Sequence, residues 1–357
     1  MATLGSQALT LRDTAEAARD KNGHLKANIL DVMSEENSIL DDTTFLRADD
    51  GDKLSTTFRN NNPHGTWTAL NEGVPASKTG FSTAWDTCGR IKGRVEIPLE
   101  TWEKTKDKEA LWQMHVRALG QGMKEDVATA LFYANIKNEP RKFNGLADFY
   151  DHYAKGDTTR KSYANTVVNG GGDAAALATY LATTGNHLRS IWLINWGDTG
   201  ITAFYPEVSR YCGLTVDEMR EMQLSDANGN PIWAKTQEIK WDIGLAVRNF
   251  QRAGRVCNIQ LQTAQAATDT GVAYAKSLIK SLRHLRSRVK NAGGRFAFYM
   301  CEPLFEVIED AFALQTNSNA IKYGDLQQSK PDSLWGIPLH LCDCLDTNED
   351  TPVTEVA

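Results

Sequence analysis

The feature that most limits the fold of this chain is an early hairpin without visible support. The stretch WTALNEGVPASKTGFSTAW, residues 67–85, places a polar loop between two strand-like segments that carry aromatic side chains. Two strands on their own bury too little apolar surface to be stable in water. No obvious core-building segment precedes the hairpin, which suggests an assembly in which neighbouring molecules support it.

The flanking sequence extends this pattern in both directions. LSTTFR, TWTAL and FSTAWDTCGRIKGRVEIP are rich in Thr, Val and aromatic residues, and they predict strands between residues 54 and 98. Residues 1–45 are polar, with one stretch, LKANILDVMSEENSILDD, that predicts a short amphipathic helix. We expect this first segment to be an arm that becomes ordered only against something else.

Residues 101–138 carry the strongest helix pattern in the chain. Apolar residues recur there at steps of three and four, which predicts one buried stripe. The members of this stripe are Trp112, Val116, Leu119, Met123, Val127, Ala130 and Ala134. Gly120 and Gly122 weaken the middle of the helix, and close approach of a neighbouring backbone would be one reason for them.

The rest of the chain mixes strands with helices and so predicts an α+β fold. SIWLINWG, ITAFYPE and IWAKTQEIKWDIGLAVRNFQRAGRVCNI predict strands, and Asn228-Gly229 predicts a hairpin turn. GRFAFYMCEPLFEVIEDAFAL predicts a buried strand followed by a helix, and SLWGIPLHLCDCL predicts a last strand. We expect NGGGD, residues 169–173, to be a flexible surface turn and the ending, DTNEDTPVTEVA, to be frayed.

The sequence offers no constellation of residues for catalysis. It lacks Gly-x-Ser-x-Gly, His-Glu-x-x-His, a P-loop and Gly-x-Gly-x-x-Gly, and its seven histidines are dispersed. We therefore expect no catalytic, cofactor-binding or metal-binding residues and no enzyme activity. The six cysteines lack the spacing of a zinc site, and we expect them to be reduced thiols.

Charge and hydropathy disfavour two further classes of function, tight nucleic-acid binding and membrane spanning. The net charge of −6 disfavours tight nucleic-acid binding, because contacts from Lys and Arg to phosphates supply most of that affinity. No apolar run is long enough for a membrane span, and the first residues lack the layout of a signal peptide. We expect the protein to stay in the compartment where it is made.

One helix stands out by its charge. Residues 271–290, GVAYAKSLIKSLRHLRSRVK, predict a basic amphipathic helix in which Lys276, Lys280 and Arg283 share one face. The apolar residues of the opposite face are Leu278, Leu282, Leu285 and Val289. Three roles stay open for the basic face: plain exposure to solvent, contact with an acidic neighbouring subunit, and contact with a polyanion.

Six segments follow one another in an order that is similar to a known family. They are TTFRNNNPHGTWTALNEGVPASK, ATALFYANIKNEPRKFNGLADFY, SIWLINWG, KWDIGLAVRNFQRAGRVCNI, GRFAFYMCEPLFEVIED and WGIPLHLCDCL. In this order the chain resembles the major capsid proteins of tailed bacteriophages, a subfamily of the HK97-like fold. The resemblance covers about residues 25–346.

The resemblance implies an α+β layout in five parts. Residues 1–45 would be an N-terminal arm, 46–98 an extended hairpin called the E-loop, and 99–188 a peripheral domain with a long spine helix. Residues 189–324 would form mainly the axial domain, and 325–357 a C-terminal strand that returns to the peripheral domain. The implied function is structural: hexamers and pentamers that close an icosahedral head around double-stranded DNA.

The resemblance also implies partners. The E-loop would lie across a neighbouring subunit, and its candidate contact residues are Trp67, Leu70, Asn71, Glu72, Gly73, Val74 and Lys78. The other expected partners are a separate scaffolding protein, a portal protein and a decoration protein, with packaged DNA touched only weakly and no membrane contact. Assembly would take place in the cytoplasm of the bacterial host. An encapsulin-type cargo shell and a soluble α/β enzyme are the alternatives.

Overall fold

A computed structural model describes most of the chain after its first 36 residues. The described residues are 37–59, 62–153, 163–183, 187–209, 211–225, 229–266, 268–291, 293–313, 321–322, 333–346 and 349–355. Residues 1–36 of the arm and most of its expected helix lie outside them, as does Asn228 of the expected Asn-Gly turn.

The helices are α1 (Ile39–Asp42), α2 (Leu99–Lys104), α3 (Lys108–Tyr133), α4 (Leu146–Phe149), α5 (Ala174–Leu181), α6 (Leu261–Gln265), α7 (Asp269–Arg288) and α8 (Glu302–Ala313). The strands are β1 (Phe45–Arg47), β2 (Lys53–Arg59), β3 (Phe81–Thr87), β4 (Gly89–Pro98), β5 (His152–Tyr153), β6 (Val167–Asn169), β7 (Leu188–Trp196), β8 (Ile201–Tyr205), β9 (Leu214–Val216), β10 (Arg220–Ser225), β11 (Pro231–Val247), β12 (Ala253–Gln260), β13 (Arg295–Met300), β14 (Ile321–Lys322), β15 (Ser333–Leu334), β16 (Ile337–Leu341) and β17 (Thr354–Glu355).

Strand β7 is the centre of the main sheet. All nine of its residues are buried, as an apolar run covered on both faces predicts. It pairs antiparallel with β12 on one edge and with β13 on the other. The sheet continues in parallel from β12 to β6 and from β13 to β16. The expected strands of this region are therefore confirmed.

Helices cover both faces of this sheet. Phe132, near the end of α3, contacts Trp192 with ring centroids 5.8 Å apart. Leu285 of α7 lies against Gly254, whose register partner is Leu193. Because successive strand residues point to opposite faces, α3 and α7 lie on opposite sides of β7.

The 17-residue strand β11 joins this sheet to a smaller one. Its C-terminal residues pair with β8, and ten of its residues pair antiparallel with β4. The start of α3 covers one face of the smaller sheet, where Trp112 packs with Val95 and Ile97. The Trp112 indole N–H donates to the Gln237 side-chain oxygen at 2.9 Å.

The long helix differs from the sequence prediction in three ways. It is interrupted between α2 and α3, and it ends at Tyr133 rather than at residue 138. Val116 and Leu119 are only half-buried, because the small cluster that they pack against covers them in part, whereas Met123 and Val127 are buried.

The reason suggested for the two glycines of this helix is not found within the subunit. Apart from chain neighbours and the backbone of the helix itself, no atom of the described chain lies within 4 Å of a Cβ built on either Gly120 or Gly122. Close approach of a backbone therefore does not explain them within one subunit.

The run NGGGD is not the flexible surface turn that its composition predicts. Gly171 is buried, and a Cβ there would lie 1.8 Å from the backbone oxygen of Asn258. A Cβ on Gly170 would lie 2.9 Å from a side-chain carbon of Val256. The Gly170 N–H donates to the Cys257 carbonyl. The glycines let the chain cross β12 at a distance that no side chain would permit.

The C-terminal segment is anchored, which corrects the expectation of a frayed end. Glu349 is buried, and its carboxylate accepts from the Tyr133 hydroxyl at 2.9 Å and the Ser190 hydroxyl at 2.8 Å. Asn258 exchanges two hydrogen bonds with the backbone of Val353. Strand β17 then pairs in parallel with β5.

Two cysteines in strand-like segments pack as small apolar side chains, as expected, whereas Cys212 is exposed. Cys257 and Cys301 are fully buried, and burial raises the pKa of each thiol to about 12. None of the six forms a disulfide.

Candidate assembly surfaces

The hairpin is built from β2 and β3, which differs from the pairing that the sequence suggests. The strands pair in register from Lys53 with Thr87 to Arg59 with Phe81. The segment TWTAL forms no strand, so the loop is longer than the expected Asn71–Gly80. Residues 62–80, here the hairpin loop, have no regular secondary structure.

The base of the hairpin is attached to the body. Leu54 is fully buried and packs with Ala48, Phe204 and Ala246. Leu54 and Thr56, alternate residues of β2, are buried where the hairpin joins the body. Farther out, Phe81 and Trp85 of β3 remain 65% and 56% exposed.

The hairpin loop exposes its large apolar side chains almost completely. Trp67 is 101% exposed, Leu70 95% and Val74 71%. Such contiguous apolar exposure is unusual on a monomeric protein and marks contact surfaces.

A local turn fixes the middle of the loop. Asn71 has a positive φ of 69°, and the Glu72 carboxylate accepts from the Ala69 N–H at 2.8 Å. Gly73 has open space around it, and Lys78 is exposed. The structure thus brings all seven candidate E-loop residues together on one projecting loop.

The basic helix forms almost where the sequence predicts it. The Thr268 hydroxyl accepts from the Gly271 N–H and caps α7. Lys276, Lys280 and Arg283 are exposed. The apolar residues of the opposite face, Leu278, Leu282, Leu285 and Val289, are buried.

A second charged face lies on α8, and sequence reasoning did not single it out. Glu306 and Asp310 are exposed and four residues apart, while Leu304, Phe305 and Ile308 are buried. The signal was present as an acidic pair spaced by one helical turn, but it looks like an ordinary solvated helix face.

Cavities lie at the base of the hairpin. Two adjoining cavities of about 430 and 530 Å³ share Gly89, Arg90 and Arg141 in their walls. Arg90 is held by Asp242, with 2.5 Å between the guanidinium Nε and the carboxylate Oδ1. In the described part of the chain, no group of three or more His, Cys, Asp or Glu residues could hold a metal ion.

The described helices include none that is both long and apolar enough to cross a membrane.

Solved structures resemble this fold. A chain of bacteriophage Epsilon15, determined by cryo-EM and modeling, matches with a TM-score of 0.73 and 24% identity over 100% of both chains. The bacteriophage JBD30 capsid matches 95% of this chain and 99% of its own with a TM-score of 0.46 and 9% identity. The SrpI encapsulin of Synechococcus elongatus matches 71% of this chain and 97% of its own with a TM-score of 0.41 and 12% identity. TM-scores below 0.5 are too low for the last two to support an inference.

The first of these matches confirms the expected HK97-like α+β fold. No curated protein sequence matches the chain significantly. The family model for major capsid protein GP7 matches residues 20–353, which is most of the chain. The chain belongs to the GP7 family of phage major capsid proteins.

Proposed function

We propose that copies of this chain form hexamers and pentamers that close an icosahedral head around double-stranded DNA. In this proposal the arm is residues 1–45, the E-loop hairpin 46–98 and the peripheral domain 99–188. Residues 189–324 form mainly the axial domain, and 325–357 return to the peripheral domain. The observation that carries the proposal is the exposed hairpin loop.

Burial of this loop on a neighbouring copy would supply much of the assembly energy. Each large apolar side chain gains about 1.5–3 kcal/mol when it moves from water to a fully buried site. Trp67, Leu70 and Val74 gain none of this within their own subunit, because they are exposed there. A neighbouring subunit provides the surface that two strands lack on their own.

Further partners follow from the capsid role. We infer a separate scaffolding protein, a portal protein and a decoration protein, with assembly in the cytoplasm of the bacterial host. The net charge of −6 favours weak, non-specific contact with packaged DNA. We infer a structural rather than an enzymatic role, and Lys78 is a loop contact residue in this proposal.

Replacement of the three loop side chains tests the proposal. The triple variant Trp67→Ser/Leu70→Ser/Val74→Ser should stay folded, since these residues are exposed, but it should form no stable shells. Val208→Ser is the matched control, because Val208 is 89% exposed outside the hairpin. Electron microscopy and sedimentation of purified particles measure the outcome.

DNA-filled heads from the triple variant would contradict the role of the loop. Wild-type shells filled with protein cargo instead of DNA would favour the encapsulin alternative. Small discrete oligomers of the wild-type protein would overturn the shell function itself.

A further inference from the structure

Two neighbouring helices expose charges of opposite sign with the same spacing. Lys276 and Lys280 of α7 are exposed and four residues apart, and Arg283 follows on the same face. Glu306 and Asp310 of α8 are likewise exposed and four residues apart. Residues at this spacing lie one above the other on a helix, so each helix carries a short charged stripe.

Among the described residues, the stripes differ from other charged faces in having no ion-pair partner. On the small sheet, Arg90 pairs with Asp242 and Lys240 with Asp217, with 2.9 Å between the atoms of the second pair. None of the five stripe side chains forms an ion pair or a side-chain hydrogen bond with any residue, as far as the described part of the chain shows. Within that part, these charges of the sheet are paired and those of the stripes are exposed to solvent.

The fold packs the two helices that carry the stripes against each other. Helix α7 packs on β12 and β6, whereas α8 follows β13, which lies beyond β7 in the sheet. The two helices contact each other, and each buries its apolar residues in the same core. The subunit therefore exposes a basic stripe on one helix and an acidic stripe on the helix in contact with it.

We propose that the basic stripe of α7 binds the acidic stripe of α8 on a neighbouring copy of the chain. The proposal rests on the proposed function, since it needs many copies in one assembly. A second copy fits because it carries both complementary stripes. DNA fits poorly, because the contacting helix carries acidic residues and the net charge of the chain is −6.

The expected energetic role is orientation and rate of association. Charges at the rim of an interface act mainly on the encounter of the subunits and are screened by salt. Loss of this pairing should therefore slow assembly most at low ionic strength and leave folding of the subunit intact.

Charge reversal followed by mixing tests the pairing between copies. The first variant is Lys276→Glu/Lys280→Glu, with acidic stripes on both helices. The second is Glu306→Lys/Asp310→Lys, with basic stripes on both. Each should assemble at least tenfold more slowly than wild type at low salt, as measured by light scattering. An equimolar mixture should regain most of the rate, because each variant then meets the opposite charge on its neighbour.

Matched controls separate the possible outcomes. Lys106→Glu/Lys108→Glu makes the same change in net charge at exposed residues near the start of α3 and should not be rescued by the second variant. Circular dichroism verifies that all variants fold. If wild type forms shells but the mixture is as slow as its components, the stripes do not pair. If wild type forms no shells, the proposed function fails instead.

Discussion

The hairpin loop and the C-terminal segment both have little regular secondary structure, yet they differ in their contacts with the rest of the subunit. Residues 349–355 include only two strand residues, but Glu349 is buried and Val353 is held by Asn258. Residues 62–80 contain no strand, and Trp67 is fully exposed. The first segment finds its partners within the subunit. The second exposes the apolar groups that a partner would cover.

The difference indicates that the C-terminal segment stabilises the folded subunit, whereas the hairpin loop is available for assembly. In the polar ending, Glu349 and Val353 are held by hydrogen bonds to residues of the folded body. A loop whose large apolar side chains are left exposed gains their stabilisation only on association. Substitutions at the C-terminal segment should therefore change subunit stability, and substitutions in the loop should change assembly.

The largest expected effect comes from Glu349→Ala. This change leaves the hydroxyls of Tyr133 and Ser190 without their acceptor in a buried site. Burial and the Glu349 charge raise the pKa of Tyr133 well above its usual value, so its hydroxyl remains a donor. We expect a loss of about 3 kcal/mol in the free energy of unfolding.

The matched control lies in the hairpin loop. Glu72 also accepts a hydrogen bond, from the Ala69 N–H, but it is exposed. Glu72→Ala should change the free energy of unfolding by less than about 0.5 kcal/mol. Urea unfolding of unassembled subunits measures both variants, and equal losses would contradict the distinction between the two regions.

Alanine substitutions at Gly171 and Gly73 test the same difference between the C-terminal segment and the hairpin loop. Gly171→Ala would place a Cβ 1.8 Å from the Asn258 backbone oxygen and would disturb the residue that holds Val353. We expect it to lower the free energy of unfolding by about 2 kcal/mol. Gly73→Ala enters open space and should be neutral within about 0.5 kcal/mol. Thermal unfolding of the two variants checks this, and a neutral Gly171→Ala would show that the crossing relaxes easily.

Much of the fold was predictable because it depends on local patterns. The apolar run of β7 and the amphipathic pattern of α7 led to the right elements, and α7 differs from its predicted range by two residues at each end. Anchoring of Glu349 was not predictable, because its partners Ser190 and Tyr133 lie 159 and 216 residues away. The pairing of β2 with β3 was also not predicted, because strand register depends on the burial of one face in the fold.

The candidate assembly surfaces, like the fold, were predictable only in part. Lack of local support pointed to the hairpin, and the seven loop residues were named from a resemblance. The basic face of α7 follows from helical spacing alone. The acidic stripe of α8, Glu306 and Asp310, became a candidate only when the fold showed that α8 packs against α7.

The smallest expected effect concerns Asp86 and tests whether the base of the hairpin is shielded from solvent. Asp86 lies at the base of the hairpin, opposite Leu54 in the strand register, and desolvation raises its pKa from 3.8 to about 6. The folded subunit therefore binds a proton more tightly than the unfolded chain. Its free energy of unfolding should fall as pH rises from about 4 to about 6, because the carboxylate ionises more easily in the unfolded chain.

Removing this charge should flatten the pH profile. At pH 7, Asp86→Asn should stabilise the subunit by about 1 kcal/mol, less than the full shift implies because the side chain is partly exposed. Asp126→Asn, at an exposed residue of α3, controls for the loss of one charge. Urea unfolding at several pH values measures the slopes. Parallel profiles for wild type and Asp86→Asn would mean that water reaches Asp86 and that the exposed part of the hairpin extends to its base.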